Sequence, residues 1–177
     1  MSVRRVVTGN VGGKSKIVSD GGTRRSHVFK SIPGQATTLV WSTPPVPSLP
    51  LDGSDVISEQ SGYVPAPGET RLMIVTFPPD SVMASIDPGA AGQEFGVHVP
   101  DLAARMEPDN PGMHTTDTVD YGIVLEGEVW LELDDGKEVH LKPQDVVVQN
   151  GTRHAWRNKS DKPVTLAFVL IGGKRNK

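Results

Sequence analysis

"GMHTTDTVDYGIVLEGE", residues 112–128, decides how this 177-residue chain folds. It sets His114 ahead of threonines and acids, runs on through the apolar Gly122–Leu125, and closes in a glycine turn at Glu126-Gly127. Downstream, "VWLELDDGKEVHLKPQDVVVQNGTRHAWRNKSDKPVTLAFVLIGG" continues as strands of about five to eight residues. Turn pairs at Asp135-Gly136, Pro143-Gln144, Asn150-Gly151 and Ser160-Asp161 separate them. Regular spacing of this kind predicts a sandwich or closed barrel. "GIVL", "DVVV" and "LAFVLI" are apolar on both faces, so each side needs a cover: the barrel interior on one, the N-terminal strands or a second subunit on the other.

Outward from this block, 3–8, 15–19 and 26–30 read as short strands between glycine turns. The Pro-, Ser- and Gly-rich span 42–69 reads as an extended wrapping loop, and "TRLMIVTFPP", 70–79, as a strand stopped by two prolines. Only "VPDLAARMEP", 99–108, has helical composition, with Asp101 placed to cap it. The expectation is an all-β protein with one short helix. Residues 1–69 form an N-terminal part of the same domain and 70–177 a barrel.

Composition narrows the chemistry. With no cysteine there are no disulfides and no thiolate ligands or nucleophiles, so any metal must be held by His, Asp or Glu. Net charge is −3 and the only basic cluster is the tail "GGKRNK", which argues against nucleic acid. No apolar run approaches the roughly 20 residues of a membrane helix, and "MSVRRVVTGNVGG" shows no export signal, which predicts a cytoplasmic location. There is no Gly-x-Ser-x-Gly elbow, and "VGGK" and "IGGK" lack phosphate-loop spacing.

The segment 112–171 resembles the cupin superfamily of small jelly-roll barrels, whose first motif carries two histidines, a glutamate and a glycine, and whose second ends in glycine, histidine and asparagine. His114, Thr116, Asp120 and Gly127 fall on the first, and Gly151, His154 and Asn158 on the second. Four departures stand out: Thr116 replaces a histidine, Asp120 a glutamate and Gln144 a glycine, and the proline-containing turn is compressed into Gln149-Asn150-Gly151. The resemblance implies a cupin jelly roll with an N-terminal strand extension. It also implies a metal, held in typical members by three histidines and a carboxylate, of which His114, Asp120 and His154 remain as candidate ligands for Fe, Mn, Ni or Zn.

Alternation along a strand places His114 with Thr116, and His154 with Trp156 and Asn158. Two imidazoles and one carboxylate suit a metal with open positions. The same residues without metal make a hydrogen-bonded network or a general acid/base set able to act beside a carbonyl. Thr116, Trp156 and Arg71 are candidate substrate contacts, with Arg153 a further anchor for a carboxylate. Met73, Met83, Met106 and Met113 suggest a pliable apolar wall or lid. Tyr121, Ile123 and Trp130 belong outside the barrel, and His27, His98 and His140 read as surface or packing histidines.

Three functions fit. The first is a lyase-type enzyme (dehydration, decarboxylation or tautomerisation) acting on a carbonyl-bearing metabolite. The second is an Fe(II) dioxygenase, and the third a non-catalytic small-ligand module. Cupins of this kind commonly pair through their N-terminal strands, which implies a homodimer.

Overall fold

The computed structural model describes residues 3–176, so the ends of the stretch read for an export signal and of the basic tail lie outside the described residues. The chain opens as a hairpin of β1 (Arg5–Val11) and β2 (Lys14–Gly21), which reverses through Gly12 and Gly13 at positive φ. This hairpin is a two-stranded sheet of its own. Arg5 ties it to the body: its buried guanidinium donates to both oxygens of Asp55 at 3.0 and 2.7 Å and lies 5.5 Å from the Trp41 ring.

Next come β3 (Ser26–Val28), β4 (Ala36–Thr43) and β5 (Thr70–Phe77), with residues 44–69 between the last two free of strand, as expected of a wrapping loop. β4 is not among the strands that the sequence pattern predicts. After the helical segments follow β6 (Thr118–Glu126), β7 (Val129–Glu132), β8 (Glu138–Leu141), β9 (Val146–Asn150), β10 (Ala155–Arg157) and β11 (Val164–Gly172). A six-stranded antiparallel sheet runs β3-β4-β5-β11-β6-β9, and a three-stranded one runs β10-β7-β8. Together they make the all-β jelly roll that the turn spacing predicts.

β11 lies between β5 and β6, and Val164 to Phe168 are buried without alternation, which explains a strand apolar on both faces. β6 alternates instead: Thr118, Asp120, Gly122 and Val124 point in, while Tyr121 points out. Leu39, Val124, Val129, Leu131, Val164 and Leu166 form the core between the sheets. The outer face of β6 and β9 is left open, with Tyr121, Val146 and Val148 exposed; the N-terminal hairpin does not cover it.

Instead of one helix there are three helical segments: α1 (Asp80–Met83), α2 (Pro88–His98) and α3 (Pro100–Ala103). The longest, α2, lies in sequence with too many glycines to read as helix. Its start is explained by Asp87, whose carboxylate accepts from Gly89 N and Ala90 N, and by Pro88 in the first turn. Asp101 is not the cap of the expected helix. It sits inside α3, and its carboxylate accepts from Val64 N at 2.7 Å. Among the described residues no helix is long and apolar enough to cross a membrane.

Candidate active site

A cavity of about 730 Å³ lies inside the barrel, walled mostly by apolar side chains such as Met73, Val75, Phe95, Leu102, Phe168 and Leu170. Met83 and Met106 also line it, so part of the methionine wall is real, and α1 to α3 close one side. Met113 is buried in the segment leading to His114. Polar groups on the wall include His114, Thr116, Asp120 and His154, together with Gln35, Thr37 and Tyr63.

Local backbone geometry sets the two histidines. His114 lies just before β6 and His154 just before β10, and an isolated antiparallel bridge joins them. Each ring donates Nδ1–H to a carbonyl two residues back, Gly112 O at 3.0 Å and Thr152 O at 2.9 Å. A carbonyl only accepts, so Nδ1 carries the proton in both rings and each Nε2 keeps a free lone pair. Burial pushes the His154 imidazole down to about 4, with His114 adding to the effect, and burial also lowers His114. Both rings are neutral at pH 7.

Asp120 points inward from β6 and is buried, and its Oδ1 has no hydrogen-bond partner among the described residues. Burial raises its carboxyl to about 6, against the pull of the neighbouring Thr118 hydroxyl. Thr116 is buried on the cavity wall, and its Oγ1 accepts from Thr118 at 2.7 Å. Trp156 lies edge-on to His154, 5.8 Å away, and to Phe168, 5.3 Å away, which fixes an aromatic floor beside the histidines.

Two of the basic residues singled out in the sequence are engaged elsewhere. Arg71 is not on the cavity wall; it donates to Gly62 O, Thr70 O and Glu69. Arg153 pairs with both oxygens of Glu107 and with Asp134. Asn158, the last motif residue, bonds Phe77 O and Lys162 O and so braces the barrel wall. Two residues of the cavity wall escape a reading of the sequence: Gln35, and Tyr63, whose buried Oη is unpartnered among the described residues. Their only marker is polarity beside an apolar run, in segments that read as loop or carry no pattern.

His114, Asp120 and His154 have metal-ligand chemistry, but their ligand atoms do not all come within 4.8 Å of one another. Among the described residues that closeness is reached by His27, Glu94 and His98 instead. The triad expected from the motif therefore does not fit a single ion as a three-point set. Asp120 is one methylene shorter than glutamate, so its carboxylate reaches less far toward the histidines, and Thr116 supplies no imidazole in place of a fourth ligand.

A jelly roll with two motif histidines facing each other over an internal cavity defines a cupin-type barrel. Residues 104–171 match the family model described as a cupin domain, so the chain carries a cupin domain. It is 30% identical over 148 residues to phomopsin biosynthesis cluster protein C' of Diaporthe leptostromiformis, a match covering 76% of this chain and 66% of that protein. Oryzines biosynthesis cluster protein J of Aspergillus oryzae is 52% identical over 60 residues, 34% of each chain. The cupin-domain-containing oxidoreductase fogC of Aspergillus ruber is 37% identical over 90 residues, 46% of this chain and 44% of that one. The chain thus matches about two thirds or less of the length of these relatives.

Proposed function

We propose that the protein is a small-molecule enzyme that moves protons beside a carbonyl of a mostly apolar metabolite, in a dehydration, decarboxylation or tautomerisation. One observation carries this reading: two imidazoles with free Nε2 lone pairs and the Asp120 carboxyl line the same apolar cavity, and one oxygen of that carboxyl is buried without a partner among the described residues. A substrate hydroxyl or enol would satisfy the imidazole lone pairs that the cavity leaves without a protein donor. A carboxyl near 6 suits proton exchange at neutral pH. In this scheme a substrate O–H donates to Nε2 of His114 or His154, Asp120 takes or returns the carbon-bound proton, and Trp156 and Phe168 position the ring or chain beside it. Relatives named for biosynthesis clusters support a specialised metabolite as substrate.

The test uses a panel of cyclic and aromatic ketones and β-hydroxy ketones in deuterated buffer with EDTA, followed by NMR. Deuterium uptake or loss of water that disappears in Asp120→Asn supports the proposal, and uptake equal in the variant and the wild type removes it.

A second reading, an oxidoreductase, is favoured by the names of relatives such as fogC, and Fe(II) is the metal to test for it. Oxygen consumption by the iron-supplemented protein with the same panel, absent under EDTA, would select it over acid/base chemistry. We also propose that the protein is a homodimer, since an apolar strip on β6 and β9 lacks a cover within the described residues.

A further inference from the structure

The lid helix α2 has two working faces. Ala91, Gly92 and Phe95 look into the cavity. Glu94 and His98, one helical turn apart, look away from it and meet His27 of β3. The ligand atoms of His27, Glu94 and His98 all lie within 4.8 Å of one another, and His27 Nε2 is 2.8 Å from Glu94 Oε1. The His27 and His98 rings stack at 3.4 Å between centroids.

The carboxylate is held in place before any ion arrives. Glu94 accepts from the Ser31 hydroxyl, from Lys30 N at 3.0 Å and from Ser31 N at 2.7 Å. These donors, the Ser31 hydroxyl foremost, keep it ionised, well below the usual carboxylate range, and they form the kind of outer shell that orients a metal-binding carboxylate. All three residues are half-buried, so a hydrated ion has access.

We propose that His27, Glu94 and His98 bind one divalent transition-metal ion, separate from the cavity histidines, and that the ion clamps α2 to the β3 segment. Two imidazoles and one carboxylate, with no thiolate, select ions such as Zn²⁺, Ni²⁺ or Cu²⁺ over Mg²⁺ or Ca²⁺. Water completes the coordination. Binding replaces the proton between His27 Nε2 and Glu94 Oε1, which moves to His27 Nδ1 or to solvent, and one ring turns out of the stack so that both lone pairs converge. Glu94 keeps its bonds to the 30–31 backbone. Because the opposite face of α2 is cavity wall, the ion would stiffen the lid without touching the reacting groups.

Calorimetric titration of Zn²⁺ into the metal-stripped full chain tests this. Wild type and His154→Ala, which lacks one cavity imidazole, should both take up one ion at this site. His98→Ala and His27→Gln, checked against wild type by circular dichroism, should bind it about tenfold more weakly or not at all. Zn²⁺ should raise the melting temperature of wild type and leave that of His98→Ala unchanged. If one variant fails to fold, the other decides. No binding by wild type, a site lost in His154→Ala, or a site that survives both ligand variants would overturn the proposal. Failure of the acid/base reading at Asp120 would leave this result untouched.

Discussion

His114 and His154 are locked together by their backbones: each amide donates to the other's carbonyl at 3.0 Å, and the rings lie 4.2 Å apart. Main-chain bonds set this relationship, so it should outlive the loss of either side chain. His154→Ala is therefore expected to keep the fold, with a stability change below about 2 kcal/mol by urea titration. Proton-exchange activity should fall by about 100-fold or more, because one acceptor on the cavity wall is gone. A variant that unfolds, or that keeps full activity, would show the ring to be structural.

The pH dependence of stability has two opposed parts inside this site. Asp120 is raised to about 6, so its contribution is fully present below the ordinary aspartate value and is lost as pH rises through 6. His154 is depressed to about 4, so its contribution is present above the ordinary histidine value and is lost as pH falls through 4. Between roughly pH 4 and 6.5 the two largely cancel, each worth at most about 3 kcal/mol, since a tenfold change in proton affinity on folding corresponds to about 1.4 kcal/mol. Asp120→Asn removes the first, and its melting temperature should climb steadily from pH 4 to 6.5. His154→Ala removes the second and should flatten or reverse that climb. Parallel profiles for the two variants would refute the assignment.

What the sequence made legible was what strand alternation and turn chemistry dictate. Asp120 inward and Tyr121 outward follow from a period of two, and Gly127, Gly136 and Gly151 all take the positive φ their turns require. Long-range partners could not be read. Arg153 looks available until the fold delivers Glu107 from 46 residues away. β4, "ATTLVWST", is polar at half its positions and becomes a strand by pairing with β5. α2 carries three glycines and is held by its Asp87 cap and by Glu94, whose partners lie more than 60 residues away. His27 and His98 look like isolated surface histidines in the sequence, and only the meeting of β3 with α2 makes them neighbours.

Gln144 stands where cupins usually have glycine, and it sits at φ 77° between Pro143 and Asp145. The left-handed region disfavours a residue with a Cβ by about 1–2 kcal/mol, partly offset by the greater freedom of glycine in the unfolded chain. Gln144→Gly should therefore stabilise the protein by up to about 1 kcal/mol, read as a higher urea midpoint at unchanged slope. The amide that bonds Val124 O at 2.9 Å is retained in the variant. A lower midpoint would show that the Gln144 side chain makes a stabilising contact.

Gly92 faces the cavity from α2, and a Cβ built there meets no atom within 4 Å. Gly92→Ala should stabilise α2 by about 0.5–1 kcal/mol through helix propensity and leave turnover nearly unchanged. Gly92→Phe should fold equally well but fill part of the 730 Å³, excluding bulky ketones of the panel while admitting small ones. A size-independent loss of activity would place the substrate elsewhere.

The exposed strip on β6 and β9 gives the last prediction. Tyr121 pairs directly with Val148, and Val146 lies two residues along on the same face, so three apolar side chains present one surface, each more than 40% exposed. A lone exposed valine is ordinary, whereas an aromatic and two valines in register on neighbouring strands make a contiguous patch of the kind that partners cover. A second copy is the occupant proposed above, and in a two-fold contact each substitution would appear twice in the interface. Val148→Glu should therefore convert a dimer, measured by light scattering after gel filtration, into a monomer of 19.0 kDa with unchanged circular dichroism. Burying two glutamates without partners costs far more than losing two valine contacts, which is why the charge and not mere truncation is the decisive change. A wild type that already runs as a monomer would overturn the homodimer, and a variant that stays dimeric would move the contact to another surface, with the exposed Ile17 of the N-terminal hairpin the next place to look.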